Sequence, residues 1–178
     1  MKRIFIISIL FITFLFPVTA ERLNTKTEYF NRAIGGKFSA LPDSFIGGMT
    51  YQQWFENDLG IEGTVGFIAN ENSAHYNFEI QLQKLLFVND FGERNNSVLY
   101  LWANTGVNSY EVEKNAPEGA DYDSVTYIKP SIFVGTGLGI ELTYFEHVAI
   151  PVTIGIQAEF LNRFAFGFTA GIGLRYRF

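Results

Sequence analysis

"GFTAGIGLRYRF", residues Gly167 to Phe178, decides the fold. Counting back by twos from the last residue gives Phe178, Tyr176, Leu174, Ile172, Ala170 and Phe168. The residues between them are Arg177, Arg175, Gly173, Gly171, Thr169 and Gly167. A period of two is the signature of a strand. Here one face is apolar or aromatic and the other is small or cationic.

The same alternation recurs upstream. Ile150, Val152, Ile154, Ile156, Ala158 and Phe160 alternate with Pro151, Thr153, Gly155, Gln157 and Glu159. Tyr76, Phe78, Ile80 and Leu82 alternate with Asn77, Glu79, Gln81 and Gln83. Turn signals separate such segments, and the pattern predicts eight strands: Tyr29–Ala40, Phe45–Phe55, Leu59–Ala69, Tyr76–Val88, Val98–Asn108, Thr126–Tyr144, Val148–Phe160 and Phe164–Phe178. The first, second and fifth alternate less cleanly. In "VLYLWA", Val98 to Ala103, both faces are apolar.

The first 20 residues read differently. Lys2 and Arg3 precede an apolar run from Ile4 to Phe16, then Pro17 and a small-residue cleavage site at Ala20. That is the pattern of a secretory signal peptide. The run is too short to cross about 30 Å of hydrocarbon as a helix. Residues 1–20 are therefore expected to be removed, leaving 21–178 as one domain that opens on the polar leader "ERLNTKTE". There is no Cys, hence neither disulfides nor a lipid-bearing cysteine. Lys2 and Arg3 account for two of the 13 basic residues, so 11 remain against 18 acids, a net charge near −7. This balance disfavours nucleic acid as a partner.

Alternation alone does not name the solvent, since a soluble lipocalin-like barrel alternates with its apolar face inward. Three features favour the opposite arrangement. The polar face is poor in charge and rich in Gly, Ser, Thr and Gln, unlike a water-facing exterior. Aromatics gather at strand ends (Tyr144, Phe145, Phe160, Phe164, Tyr176, Phe178), as interfacial girdles do. The alternation also runs to the final residue. Ten residues tilted near 40° rise about 25 Å, the height of an outer-membrane apolar band. The expected fold is all-β, an eight-stranded antiparallel up-and-down transmembrane barrel.

With its export signal, eight strands and terminal "GLRYRF", the chain resembles the small eight-stranded outer-membrane barrels such as the OmpA transmembrane domain, OmpX and the OmpW-like proteins. The resemblance implies a bacterial outer-membrane location. It also implies that Phe178, Tyr176, Leu174 and Ile172 form the signal read by the barrel-assembly machinery. It covers the whole mature chain but is architectural, and says nothing of a ligand.

An eight-stranded barrel has room inside for little more than side chains. The inward charged set is therefore the main candidate constellation: Glu62, Glu141, Arg175 and Arg177 toward the periplasmic end, with Lys37, Lys129, Glu79 and Glu159 at mid-height or toward the outside. Buried ions need partners, so at least one of Glu62 and Glu141 should pair with Arg175. Paired, the set plugs the lumen; otherwise it lines a narrow or gated ion path.

Catalysis is weakly supported. The only histidines are His75 and His147, placed in different connections and lacking the motifs of the lipid A deacylases or palmitoyl transferases. "GTGLG", Gly135 to Gly139, has the wrong spacing for a nucleotide loop and is read as space for bulky lumen neighbours. Residues 109–124 form the longest irregular stretch. They hold Glu111, Glu113, Glu118, Asp121 and Asp123 and are read as an extracellular loop, a candidate site for a ligand or bridging cation.

The expected function is that of a monomeric, non-enzymatic outer-membrane barrel, structural or surface-interacting, needing no cofactor or metal. The alternative is a narrow porin or a transporter of small hydrophobic molecules of the OmpW type, with Phe133 as the apolar intruder on the polar face. A lipid-modifying enzyme ranks third.

Overall fold

In the computed structural model the last strand closes on the first long one. The structure describes residues 21–23, 31–42, 44–55, 58–70, 73–115, 124–162 and 164–178, so the expected signal peptide lies outside the described residues. The strands are β1 (Glu21–Leu23), β2 (Arg32–Leu41), β3 (Ser44–Trp54), β4 (Leu59–Asn70), β5 (Ser73–Asp90), β6 (Asn96–Asn115), β7 (Ser124–Tyr144), β8 (Val148–Phe160) and β9 (Ala165–Arg177). From β2 to β9 each strand pairs antiparallel with the next. β9 then returns to β2, from Ala33↔Arg177 to Ala40↔Ala170. Closure gives each of these eight strands a partner strand on both sides. They correspond one to one to the eight expected strands.

β1 was not expected. Its three residues, read as part of a polar leader, pair parallel with Phe87 to Asn89 of β5. β4 begins at Leu59, opposite Lys84, and leaves the end of β5 uncovered on that side. β1 takes up the bare edge.

The faces are sorted inside out relative to a soluble protein. Phe38, Phe45, Ile154, Phe168 and Leu174 point outward, Phe168 being 85% exposed. Gln52, Glu62, Gln81, Gln83, Glu141, Gln157, Arg175 and Arg177 are buried within the lumen. The bulge in β5 between Leu85 and Phe87 shifts the inward parity, so that Val88 follows Leu85 into the interior.

Part of the interior is apolar. Trp54, Leu85, Val88, Val98, Tyr100 and Trp102 form one buried cluster. Trp54 and Tyr100 meet edge to face at 5.9 Å, a geometry worth about 0.5–1.5 kcal/mol beyond area burial. These rings need bare backbone opposite. A Cβ on Gly139 would collide with the Tyr100 ring, and one on Gly137 would lie 2.6 Å from Trp102 Cζ2. The expectation that "GTGLG" makes room for lumen neighbours is thus borne out.

Pro151 faces inward on β8, where a sheet normally excludes proline. The β8–β9 ladder passes from Ala149↔Arg175 to Val152↔Ile172, with no pairing at Ile150 and Pro151. Proline has no N–H to give, and the gap falls where the missing donor would act.

At the end where β2 begins and β9 finishes the turns are tied together. Glu146 N donates to the Arg94 carbonyl at 2.9 Å, and Phe145 N donates to Asn95 Oδ1 at 3.1 Å. Phe145 and Glu146 have φ of 52° and 69°, strained for L residues, and both bonds fall on this stretch.

The expected 109–124 loop is corrected. β6 runs on to Asn115 and β7 starts at Ser124, with Asn115 opposite Ser124. β5 reaches only Asn77↔Asn108 on one side and β8 only Ile132↔Phe160 on the other. The hairpin therefore stands above the barrel as a two-stranded ribbon. In "SYEVEKN" the alternation persists, and that is what carries the ladder outward.

Candidate functional site

The site is the lumen. β9 brings Arg175 and Arg177 inward two residues apart, because successive side chains on a strand alternate faces. β4 supplies Glu62, β7 Glu141, β2 Lys37 and β5 Glu79. Arg175 NH2 lies 2.6 Å from Glu62 Oε2, and its NH1 donates to Glu141 Oε2 at 2.9 Å. Arg177 NH2 pairs with the other oxygen of Glu141. Lys37 Nζ lies 3.4 Å from Glu62 Oε1 and 3.3 Å from Glu79 Oε1. The result is one alternating series across the lumen: Arg177, Glu141, Arg175, Glu62, Lys37, Glu79.

Three cations face three carboxylates, so the series is neutral. Neutrality matters because a buried charge left without its partner costs about 3–5 kcal/mol. Amides extend the series: Gln83 Nε2 donates to Glu62 Oε2 and Gln52 Nε2 to Gln83 Oε1, each at 2.8 Å. The expectation that Glu62 or Glu141 meets Arg175 holds for both.

Two members of the expected network fall outside it. Glu159 forms a separate cluster, accepting from Asn108 Nδ2 at 2.9 Å and Ser131 Oγ at 3.2 Å. Asn77 Nδ2 joins through Asn108 Oδ1. Lys129 is half-buried and takes no part in the ion pairs among the described residues. The reason is height: Lys129 lies opposite Tyr110, beyond the last pairings of β7 with β8, on the protruding ribbon.

Of the acidic loop candidates, Glu111 and Glu113 occupy strand positions opposite Ile128 and Thr126. Glu118, Asp121 and Asp123 lie outside the described residues. Ile172, Leu174, Tyr176 and Phe178 all face outward and are exposed. His75 pairs with Ile68 near the start of β5. His147 lies at the other end and is not a freely solvated turn residue. Its Nδ1 donates to the Arg177 carbonyl at 2.9 Å, its carbonyl accepts from Arg177 N at 2.7 Å, and its ring stacks on Tyr176.

The inward Trp54, Tyr100 and Trp102 were missed from sequence. Trp102 lies against β7, its Nε1 donating to the Leu138 carbonyl at 3.0 Å. The signal was present in Gly137 and Gly139, but it takes the β6–β7 register to match glycine with ring.

No protein-family model and no curated protein sequence matches the chain. Solved structures do. The N-terminal β-barrel domain of Pseudomonas aeruginosa OprF aligns with a TM-score of 0.53 at 11% identity, over 84% of this chain and 98% of that one. The fold is that of the small eight-stranded outer-membrane barrels. Neisserial surface protein A aligns with a TM-score of 0.46 at 13% identity, over 84% and 96% of the two chains.

Proposed function

We propose that the protein is exported by its signal peptide, residues 1–20, and resides in a bacterial outer membrane. There it acts as a monomeric, non-enzymatic barrel with a plugged lumen, in a structural or surface-interaction role. The observation that carries this reading is the apolar exterior wrapped around a lumen crossed by a series of ion pairs in which three cations face three carboxylates. A closed apolar wall suits lipid, and a paired interior suits a plug. Ile172, Leu174, Tyr176 and Phe178 serve as the signal to the barrel-assembly machinery. The end where β2 begins and β9 finishes faces the periplasm, and the β6–β7 ribbon, with Glu111, Glu113 and the acidic residues to Asp123, presents the surface for an extracellular ligand.

Planar-bilayer recording of the purified barrel tests the plug. Silence is expected; steady channels would favour the narrow porin or OmpW-type transporter. Expression should leave the mass of lipid A unchanged, since His75 and His147 belong to opposite ends of the barrel and offer no shared catalytic centre. A mass change would restore the enzyme reading.

A further inference from the structure

We infer that the outer wall carries a seat for one hydrocarbon chain of an outer-leaflet lipid. This deepens the outer-membrane reading and rests on it: the wall must face lipid, with the β2–β3 turn on the outer side.

Two adjoining hollows mark the seat. One, of about 610 Å³, lies over β2, β9, β8 and β7; the other, of about 340 Å³, lies over β3, β2, β9 and β8. Ala40, Ile154 and Ala170 line both. Hollows of about 300–1,000 Å³ are the size that holds small molecules. The register shows how this one forms. Phe45, Ala40, Ala170, Ile154 and Leu138 stand side by side in a row across the strands. Two alanines are neighbours in that row. The rows beside it carry larger groups: Phe38 opposite Ile172 on one side, Phe168 opposite Ile156 on the other. Phe38 is 72% exposed and Phe168 85%. A low floor between tall sides is a trough.

The chemistry of the trough names its occupant. The described residues that line it carry no charge. In the larger hollow, Thr136 Oγ1 donates to the Trp102 carbonyl at 2.8 Å and Thr169 Oγ1 to the Ala40 carbonyl at 2.9 Å. Ser39 and Thr153, beside the smaller hollow, occupy inward positions of β2 and β8. A polar group seated here would lose its hydrogen bonds, whereas a hydrocarbon chain has none to lose.

The course of the trough fits as well. Ala40 and Phe45 adjoin the β2–β3 turn, closed by Leu41↔Ser44. Leu138 is midway between Ile132 and Tyr144, the ends of the β7–β8 ladder. The trough therefore descends from the outer rim to mid-wall, as a lipid tail descends from its headgroup toward the bilayer midplane. Lipid tails are as apolar as the wall, so burial from water gives no preference for this place. Contact does: a chain in the trough touches the floor and both sides at once, and a chain on a flat wall touches one surface.

The test begins with the full chain refolded into phosphatidylcholine vesicles, with folding checked by heat-dependent gel mobility. The barrel is then lifted out in mild detergent for native mass spectrometry. Wild type should keep a single phospholipid. Ala170→Phe, which fills the floor, should lower the retained lipid roughly tenfold, and Val65→Phe, on β4 away from the trough, should leave it unchanged. Failure of wild type to insert would sink the outer-membrane reading itself. Insertion without retained lipid, or equal retention in all three proteins, would overturn the seat and leave the membrane reading intact. A dimer that Ala170→Phe dissolves would also overturn it, since the trough would then be a contact between copies. Should Ala170→Phe not fold, photolabelling of wild type decides. A phospholipid with a diazirine at the tail end should label β7 around Leu138, and one with it beside the carboxyl should label Ala40 and Phe45. The reverse pattern, or labelling spread evenly over the wall, would overturn the inference.

Discussion

Glu141 binds both arginines of the last strand, and its two oxygens are not interchangeable: one serves Arg175 and the other Arg177. Truncation to Ala removes the acid between two buried cations. The expected loss is about 3–5 kcal/mol, read as a lowered urea midpoint in refolding from vesicles; an unchanged midpoint would show that water already serves these guanidiniums. The glycines set a second test. The three atoms nearest a Cβ on Gly139 all belong to the Tyr100 side chain. Gly139→Val should therefore impair folding, and Tyr100→Ala should restore it, giving a non-additive double-mutant cycle. Additive losses would mean that the strand backbone, not the ring, excludes the side chain. At this scale parity found the charged residues of the lumen, because Lys, Glu and Arg on a greasy strand have one tolerable side. It failed for Tyr100 and Trp102, because Leu99 and Leu101 are apolar too. Only their glycine neighbours on β7 break the tie.

Strand number and order were legible from period two and the turns between. Strand ends were not. β6 and β7 outrun the expected boundary because polar residues can keep a ladder once it projects above the barrel, where hydropathy no longer reports burial. β1 escaped notice because three residues carry no period. The ribbon takes no part in closure, which runs through β2 and β9. Deleting residues 113–121 should thus leave the heat-dependent gel shift and urea midpoint within about 0.5 kcal/mol of wild type, as for sites away from packed features. A deletion that prevents insertion would give the ribbon a part in folding.

Over the whole molecule the decisive quantity is which face meets the surrounding medium. Ile154 is 60% exposed on the outer wall of β8. In lipid, Ile154→Lys should cost about 2–4 kcal/mol if it lies near the bilayer midplane. In water the same change would be near neutral, as surface substitutions are. Unfolding of the variant from vesicles separates these cases. Composition and charge argue against a nucleic-acid partner, and alternation points to the barrel. Neither names a ligand, because the ribbon that would hold one is the segment where sequence periodicity carries least structural meaning.

An apolar exterior around a polar lumen is the arrangement of a barrel that lives in lipid. Expressing the full chain in a bacterium with an outer membrane, washing the membranes in alkaline carbonate, and running the protein boiled and unboiled tests it most directly. The protein should stay with the membrane and migrate faster unboiled than boiled. Release by carbonate, with identical mobility in both lanes, would contradict it.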